Sequence, residues 1–301
     1  MLSFADRTDQ QQLDEKLIVI NKGARYGQIV FLAGGAGSGK GFAFDNFMES
    51  DKFKVRDIDN FKTAFIKLDQ ITKKFPEIRG LDLSNPNDVF QLHAFVKDRD
   101  IKDKSLDLLL SDVRADVLPN ITFDITLKDS RDLSEVLPRL RKVGYQMENI
   151  HLAWVLTNYT TAVKQNRSRP RIVPDDILLK THQGAARTMF DILSENTPIG
   201  INGAIYIILG GSEHSVFATH PVTGEQLSGK DGKALVIKDF VYLTMKEPGE
   251  GIKKEKDIQN QMLTWIRNAI PRTKKLVDIF PAGTQVSNDD DVVVVDTDSQ
   301  G

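Results

Sequence analysis

The sequence contains no cysteine, no long apolar run and no marked excess of either charge. Without cysteine it can form neither a disulfide nor a thiolate metal site, and a reducing cytoplasm is the expected location. No apolar run reaches the roughly 18 residues that a membrane-spanning helix needs. The first residues have neither the basic nor the apolar region of a secretory signal, so we expect no membrane or export segment. A net charge of −2 over 301 residues gives no overall signal for nucleic acid, so any such surface must be a local patch.

The sequence does contain a glycine-rich stretch that follows an almost wholly apolar segment. Gln28 to Ala33 reads QIVFLA, which is typical of a strand buried on both faces. The next run has the G-x-x-x-x-G-K spacing of a phosphate-binding loop, whose backbone N–H groups wrap a polyphosphate; an ordinary glycine turn is the alternative. We predict a helix from Lys40 to about Met48, with its positive end against the phosphates and Lys40 reaching the β- and γ-phosphates. The predicted nucleotide-binding residues are Gly34, Gly35, Ala36, Gly37, Ser38, Gly39, Lys40 and Gly41.

One position departs from this motif. A serine or threonine normally follows the lysine, because its hydroxyl binds magnesium, but here the residue is Gly41. The next three residues, Phe42, Ala43 and Phe44, offer no substitute. We therefore expect magnesium to be held by other groups, such as carboxylates acting through water; otherwise the site is catalytically weak.

Carboxylates follow two of the other predicted strands. Asp57 and Asp59 come after a short strand at residues 53–55, and side chains at i and i+2 point the same way. Ligands bind at this end of an open α/β sheet, so both are candidates for magnesium coordination or for a general base on an acceptor hydroxyl. Alternatively, Asp59 or Asn60 caps the helix that begins near Phe61. Asp124, near the end of the third strand, is a further candidate metal ligand, or else a buried, hydrogen-bonded acid.

Three arginines stand at alternate positions in a proline-containing segment after the fourth strand. Arg167, Arg169 and Arg171 lie in the run NRSRPRIVP. Guanidinium groups bind phosphate bidentately and stabilise charge on a transferring phosphoryl group. We predict a lid over the nucleotide at residues 165–175, with a solvated basic turn as the alternative.

The order of the predicted elements indicates an α/β protein with a five-stranded, mostly parallel sheet and helices on both faces. With 40% hydrophobic residues, the chain has enough apolar material for one large core or for one core plus an appendage. One helix of an insert, at residues 62–74, has an apolar stripe at Ala64, Phe65, Leu68 and Ile71. The predicted strands cover residues 28–33, 53–55, 120–127, 149–156 and 204–209. The predicted units are a leader at 1–26, a core at 27–212, a small C-terminal appendage of β-hairpins and a helix at 213–285, and a tail at 286–301. The core contains a helical insert at 61–118 and the lid at 165–175. The tail is acidic and forms either an edge strand or a disordered segment.

Taken together, the strand–GGAGSGKG–helix run, the acidic DID, the FDITLKD strand and the NRSRPRIVP segment resemble the P-loop kinases of the zeta toxin and polynucleotide kinase type. The resemblance covers about residues 28–209. It implies a P-loop kinase fold, ATP with Mg²⁺ as cofactors, and phosphoryl transfer to a hydroxyl. It also implies that Asp59 or Asp57 activates the acceptor, and that Arg167, Arg169 and Arg171 contact the transferring phosphate.

The GGAGSGKGF form, the long helical insert and the β-rich end are also similar to bacteriophage kinases of hydroxymethylated pyrimidines, in particular 5-hydroxymethyluracil DNA kinases. This likeness implies modified DNA as the acceptor partner and the host cytoplasm as the location. Such an acceptor needs a basic groove and an aromatic platform, for which Phe61, Phe65, Tyr145 and Trp265 are candidates. The basic residues of 253–275 are a candidate nucleic-acid contact or a solvated face. The alternatives are a 5′-hydroxyl polynucleotide kinase, a nucleotide-sugar kinase, and a nucleotide-binding switch that transfers no phosphate.

Overall fold

The computed structural model describes residues 18, 26–111, 113–114, 116–195, 200–227 and 237–271. The predicted acidic tail, most of the leader, and Arg272, Lys274 and Lys275 of the basic end lie outside the described residues. Among those described, no helix is both long and apolar enough to cross a membrane. The strands are β1 (Ile29–Ala33), β2 (Lys54–Arg56), β3 (Ile121–Ile125), β4 (Ile150–Leu156), β5 (Ile205–Leu209), β6 (Ser215–Phe217), β7 (Ile237–Phe240) and β8 (Tyr242–Lys246). The helices are α1 (Lys40–Phe47), α2 (Asp59–Thr72), α3 (Pro86–Asp98), α4 (Ile101–Ser111), α5 (Arg131–Ser134), α6 (Leu137–Lys142), α7 (Tyr159–Arg167), α8 (Asp175–Glu195) and α9 (Lys256–Ala269), with 3₁₀ turns at Ser50–Lys52, Pro76–Ile78, Met147–Asn149 and Ser212–His214.

The main sheet has the strand order β2-β3-β1-β4-β5-β8. Its first five strands are parallel and β8 runs antiparallel to β5, so the predicted α/β class and mostly parallel sheet are confirmed. The sheet has six strands where we predicted five, because β8 pairs with β5 and not with a hairpin partner. A separate two-stranded antiparallel sheet is formed by β6 and β7. The order places β1 in the centre, so the loop after it opens at the middle of the sheet.

The central strands are buried along their whole length because their apolar runs face a covered layer on each side. Phe31 and Trp154 belong to the larger core, which also contains residues of α4, α6, α8 and α9. Val30 and Leu32 point the other way, into a smaller core that includes residues of α1 and β7. Helices therefore cover both faces of the sheet, as predicted.

The helical insert has a small core of its own. The rings of Phe65, Phe75 and Phe95 meet edge to face, with centroids 5.2–5.6 Å apart. The apolar stripe predicted on α2 is only partly buried, since Leu68 is 43% exposed and Ile71 is 82% exposed. Phe65 of α2 packs against the insert core because Phe75 and Phe95 lie on that side of the helix, whereas Leu68 and Ile71 face solvent.

Candidate active site

The predicted phosphate-binding loop, called the phosphate loop below, connects the end of β1 to α1. Gly37 and Gly39 have φ angles of 72° and 80°, a backbone region that residues with a side chain rarely adopt. Gly37 also lies against α7, since a Cβ there would stand 2.5 Å from the Ala162 carbonyl oxygen. Thr157, just after β4, donates its hydroxyl to the Ser38 carbonyl oxygen at 2.6 Å. The loop is therefore coiled, and it is held by a neighbouring strand end and a neighbouring helix.

Lys40 is folded back over the loop toward the end of β3. Its Nζ donates to the Gly34 carbonyl oxygen at 2.7 Å and lies 3.4 Å from Asp124 Oδ1. The lysine side chain is 12% exposed and that of Asp124 is 29% exposed. The two meet because β1 and β3 are neighbours, with Leu32 directly opposite Asp124. A cation and a carboxylate thus share the carboxyl end of the sheet beside the loop.

The two aspartates after β2 have different surroundings. Asp57 Oδ1 accepts a hydrogen bond from the Asp59 backbone N–H at 2.8 Å. Asp59 is the first residue of α2, and its side chain does not cap the helix. Its carboxylate instead accepts from Lys62 Nζ at 2.8 Å and from the Arg171 guanidinium. Asp59 therefore joins the helical insert to the predicted lid.

The charges at this edge shift the pKa values of the carboxyls in opposite directions. Burial alone would raise the pKa of Asp59, but the Arg171 guanidinium and the Lys62 ammonium outweigh it and hold that pKa well below its usual range. Burial raises the pKa of Asp124; Lys40 opposes this rise, and the two aspartates after β2 add to it. Three carboxylates and three cations therefore face one another next to the phosphate loop.

The three predicted lid arginines have different positions in space. Arg171 turns into the site, is 14% exposed, and forms the ion pair with Asp59. Arg167 pairs with Asp175 at 2.9 Å and is 65% exposed. Arg169 is exposed and forms no ion pair within the part of the chain described. The structure thus brings Arg171 to Asp59, and it leaves Arg167 and Arg169 at the surface.

The lid segment is tied down at both of its ends. The buried Asn166 side chain donates to the Val173 carbonyl oxygen at 2.7 Å and accepts from the Val173 N–H at 3.0 Å. The Ile172 N–H donates to the Leu83 carbonyl oxygen of the helical insert at 3.1 Å. The segment therefore lies against the insert, on the side of the site where Asp59 is found.

The described residues contain no group of three or more His, Asp or Glu side chains that could hold a metal ion. Gly41, the second residue of α1, is exposed. Apart from its chain neighbours and the backbone of its own helix, no atom of the described residues lies within 4 Å of a Cβ built at Gly41, so the position has room for the hydroxyl that the motif normally carries.

Several contacts of the loop and of Asp59 were not predicted from the sequence. Lys62 lies one helical turn after Asp59, a spacing that could have indicated the ion pair. Thr157 comes directly after a central strand, so it lies at the same sheet edge as the loop, and this place in the sequence could have indicated its contact with the loop. Thr181 and His182 of α8 contact Ala36, and no local pattern in the sequence indicates this.

The sequence matches no protein-family model and has no significant match among curated proteins. Among solved structures, the chain is similar to one from the PezAT chromosomal toxin–antitoxin system of the human pathogen Streptococcus pneumoniae. The identity is 13% and the TM-score 0.43, over 82% of this chain and 89% of that one. It is also similar to a chain of the AvrRxo1-ORF1:-ORF2 structure with ATP, at 11% identity and a TM-score of 0.45, over 83% of this chain and 69% of that one. At these identities and scores, the case for a function rests on the geometry of the site.

Proposed function

We propose that the protein is an ATP-dependent kinase that transfers the γ-phosphate to a hydroxyl group. The observation that carries the proposal is the meeting of three features at one sheet edge: the coiled loop, the Lys40–Asp124 pair and the Asp59–Arg171 pair. Loop N–H groups and the positive end of α1 suit a triphosphate. The buried Ser38 hydroxyl has no hydrogen-bond partner among the described residues, and a phosphate oxygen would be a fitting acceptor for it.

The cations of the site provide the stabilisation that phosphoryl transfer needs. The transition state is loose, with charge spread over the transferred oxygens, so catalysis rests on positioning and charge. On ATP binding, Lys40 exchanges its contacts with Gly34 and Asp124 for the β- and γ-phosphates. Arg171 is the lid arginine that faces this charge, because it is the one that points into the site.

Asp59 is the residue that orients the acceptor and takes up its proton. Its carboxylate stays ionised at neutral pH, because Arg171 and Lys62 depress its pKa below the usual range. A weak base of this kind receives the proton late, which fits a transition state in which bond making lags behind bond breaking. The acceptor hydroxyl would donate to a carboxylate oxygen, which has lone pairs beyond those used by Lys62 and Arg171.

Magnesium would be held by Asp57 and Asp124, through water, together with the phosphates of ATP. Mg²⁺ keeps several waters and often binds through one or two carboxylates plus substrate phosphates, so the residues present fit it without a hydroxyl at position 41. When bound, the ion neutralises charge on the phosphates. This assignment leaves Asp59 for the acceptor and Asp57 for the metal.

The acceptor that this geometry favours is a small alcohol such as a sugar hydroxyl of a nucleotide sugar. Its support is the position of the Asp59 side chain, which is 41% exposed and paired with Arg171 of the lid, while the Ile172–Leu83 hydrogen bond ties the lid to the insert. Two of the aromatic platforms proposed for a DNA base are unsuitable. Tyr145 is 3% exposed and donates to the Pro119 carbonyl oxygen, and Phe65 is packed in the insert cluster.

The hydroxymethyl group of 5-hydroxymethyluracil in phage DNA, during thymine hypermodification, is the second candidate acceptor. The observation in its favour is the exposure of Arg167 and Arg169 beside the lid, where guanidinium groups could contact DNA phosphates.

The test is a transfer assay with γ-labelled ATP and separate acceptors: nucleotide sugars, hydroxymethyluracil DNA, and DNA or RNA with a 5′-hydroxyl. Label on a sugar supports the first candidate, and label on the base or on the 5′ end replaces it with a nucleic-acid kinase. ATP binding without transfer to any acceptor would contradict the proposal and favour a nucleotide-binding switch. Lys40→Ala is the inactive control, and Lys142→Ala, at an exposed lysine on α6, is the matched one.

A further inference from the structure

His182 is a buried residue of α8 that lies against the phosphate loop. The residue is 3% exposed, and its Nε2 is 2.8 Å from the Ala36 carbonyl oxygen. Burial lowers the pKa of His182 to about 4; the Ala36 carbonyl opposes this shift and Lys40 adds to it. The ring is therefore neutral near pH 7. Because a carbonyl oxygen can only accept, Nε2 carries the proton and donates it to Ala36.

The same ring explains the glycine at position 35. A Cβ built on Gly35 would stand 2.3 Å from His182 Cδ2, a distance shorter than real Cβ contacts reach. The loop can therefore lie this close to the imidazole only because position 35 has no side chain. Gly35 and His182 fit each other, and a side chain at position 35 would push the ring or the loop away.

The residue before His182 holds the other polar group of Ala36. The Ala36 N–H donates to Thr181 Oγ1 at 3.3 Å, and that hydroxyl donates to the Leu178 carbonyl oxygen at 2.7 Å. Tyr159, at the start of α7, meets the His182 ring edge to face with centroids 5.8 Å apart. The two helices that flank the lid, α7 and α8, therefore both reach the loop.

We infer that His182 is a positioning residue, which fixes the curvature of the phosphate loop and connects it to the helix that follows the lid. The inference rests on the proposed binding of ATP. His182 acts through Ala36 and Gly35, so it does not touch the reacting atoms. A loop fixed in this way presents its remaining N–H groups to the triphosphate without first having to be ordered.

His182→Phe tests the inference, because it keeps a ring beside Gly35 and removes the N–H donor. We expect ATP to bind roughly tenfold more weakly, which is the loss of about one hydrogen bond, with the KM for the acceptor unchanged. His182→Gln restores a donor, so its ATP affinity should lie between those of the wild type and His182→Phe. The matched control is His151→Phe, at a buried histidine that pairs with Gln28 near the amino ends of the strands. It should lower stability and leave ATP affinity unchanged.

A double-mutant cycle covers the case in which His182→Phe does not fold. Gly35→Ala should weaken ATP binding, and Gly35→Ala with His182→Ala should lose less than the product of the two single losses, since the methyl group enters the vacated space. If the two losses of ATP affinity simply multiply in the double variant, or if His182→Phe binds ATP as the wild type does, the inference is wrong and the proposed function still stands. A wild-type protein that binds no ATP would overturn both the proposed function and the inference.

Discussion

Replacing Gly41 by serine adds the hydroxyl that the phosphate loop lacks, at a position where the structure tolerates it. Outside its chain neighbours and the backbone of its own helix, a Cβ there meets no atom of the described residues within 4 Å, and the residue does not have a positive φ. In a helix, serine is more favourable than glycine by about 0.5 kcal/mol, so the thermal midpoint should rise by roughly 1–2 °C. The larger effect should be on magnesium. A hydroxyl interacting with a charged group contributes about 1.5 kcal/mol, so the Mg²⁺ concentration for half-maximal activity should fall about tenfold.

The assay is a magnesium titration of kinase activity at saturating ATP, with thermal unfolding measured on the same samples. Gly41→Ala is the matched control, because it adds the Cβ and the helix propensity without the hydroxyl. It should stabilise the protein by about 1 kcal/mol and leave the magnesium titration unchanged. If the serine and alanine variants show the same magnesium dependence, position 41 does not face the metal, and the role that the motif implies for this position is wrong.

Four further outcomes are expected. Lys40→Met should weaken ATP binding by roughly 10- to 100-fold in calorimetry, as for a lost charged hydrogen bond, and unchanged binding would remove Lys40 from the nucleotide site. Asp59→Asn should lower kcat by about 10²- to 10⁴-fold with ATP affinity kept; an unaltered kcat would move the base elsewhere. Arg171→Lys keeps the charge but not the planar fork, so kcat should fall more than ATP affinity, and equal losses would argue against a role specific to transfer. His151 and His182 have pKa values lowered to about 4 from 6.5, so their neutral forms stabilise the protein above pH 6.5 and this contribution is lost as the pH falls toward 4. Between about pH 7.5 and pH 5, urea unfolding should show that the free energy of unfolding falls by roughly 2 kcal/mol for each histidine. In His151→Phe the fall should be smaller by the part due to His151. An equal free energy of unfolding at both pH values would contradict the burial of these histidines as neutral rings.

The parts of the fold that could be predicted from the sequence are those encoded by neighbouring residues. The apolar run before the loop, the glycine spacing and the helix after Lys40 all lie within one short stretch, and the structure has each of them. The carboxyl ends of parallel strands meet at one edge, so Asp124 is expected at the same edge as Lys40, whereas the direct pairing of β1 with β3 that brings the two together comes from the structure.

The parts that could not be predicted depend on contacts between distant residues. Arg167, Arg169 and Arg171 are equivalent in the sequence, and only folding decides that Arg171 meets Asp59, 112 positions away. His182 and Ala36 are 146 positions apart, so nothing local indicates their hydrogen bond. Ile71 belongs to an apolar stripe with the period of a buried helix face, but the insert core lies to one side and leaves it exposed. The added strand β8 depends on the free edge of β5, which a single strand's pattern does not reveal.

The central claim is that the loop and the carboxylates beside it transfer a phosphoryl group, and one paired measurement tests it most directly. ATP affinity and label transfer from γ-labelled ATP are determined together for the wild type, Lys40→Ala and Asp59→Asn. We predict that the wild type binds ATP and labels an alcohol, that Lys40→Ala binds ATP much more weakly and labels no acceptor, and that Asp59→Asn binds ATP with little transfer. Transfer by Asp59→Asn at the wild-type rate, or tight ATP binding by the wild type with no labelled acceptor, would contradict it.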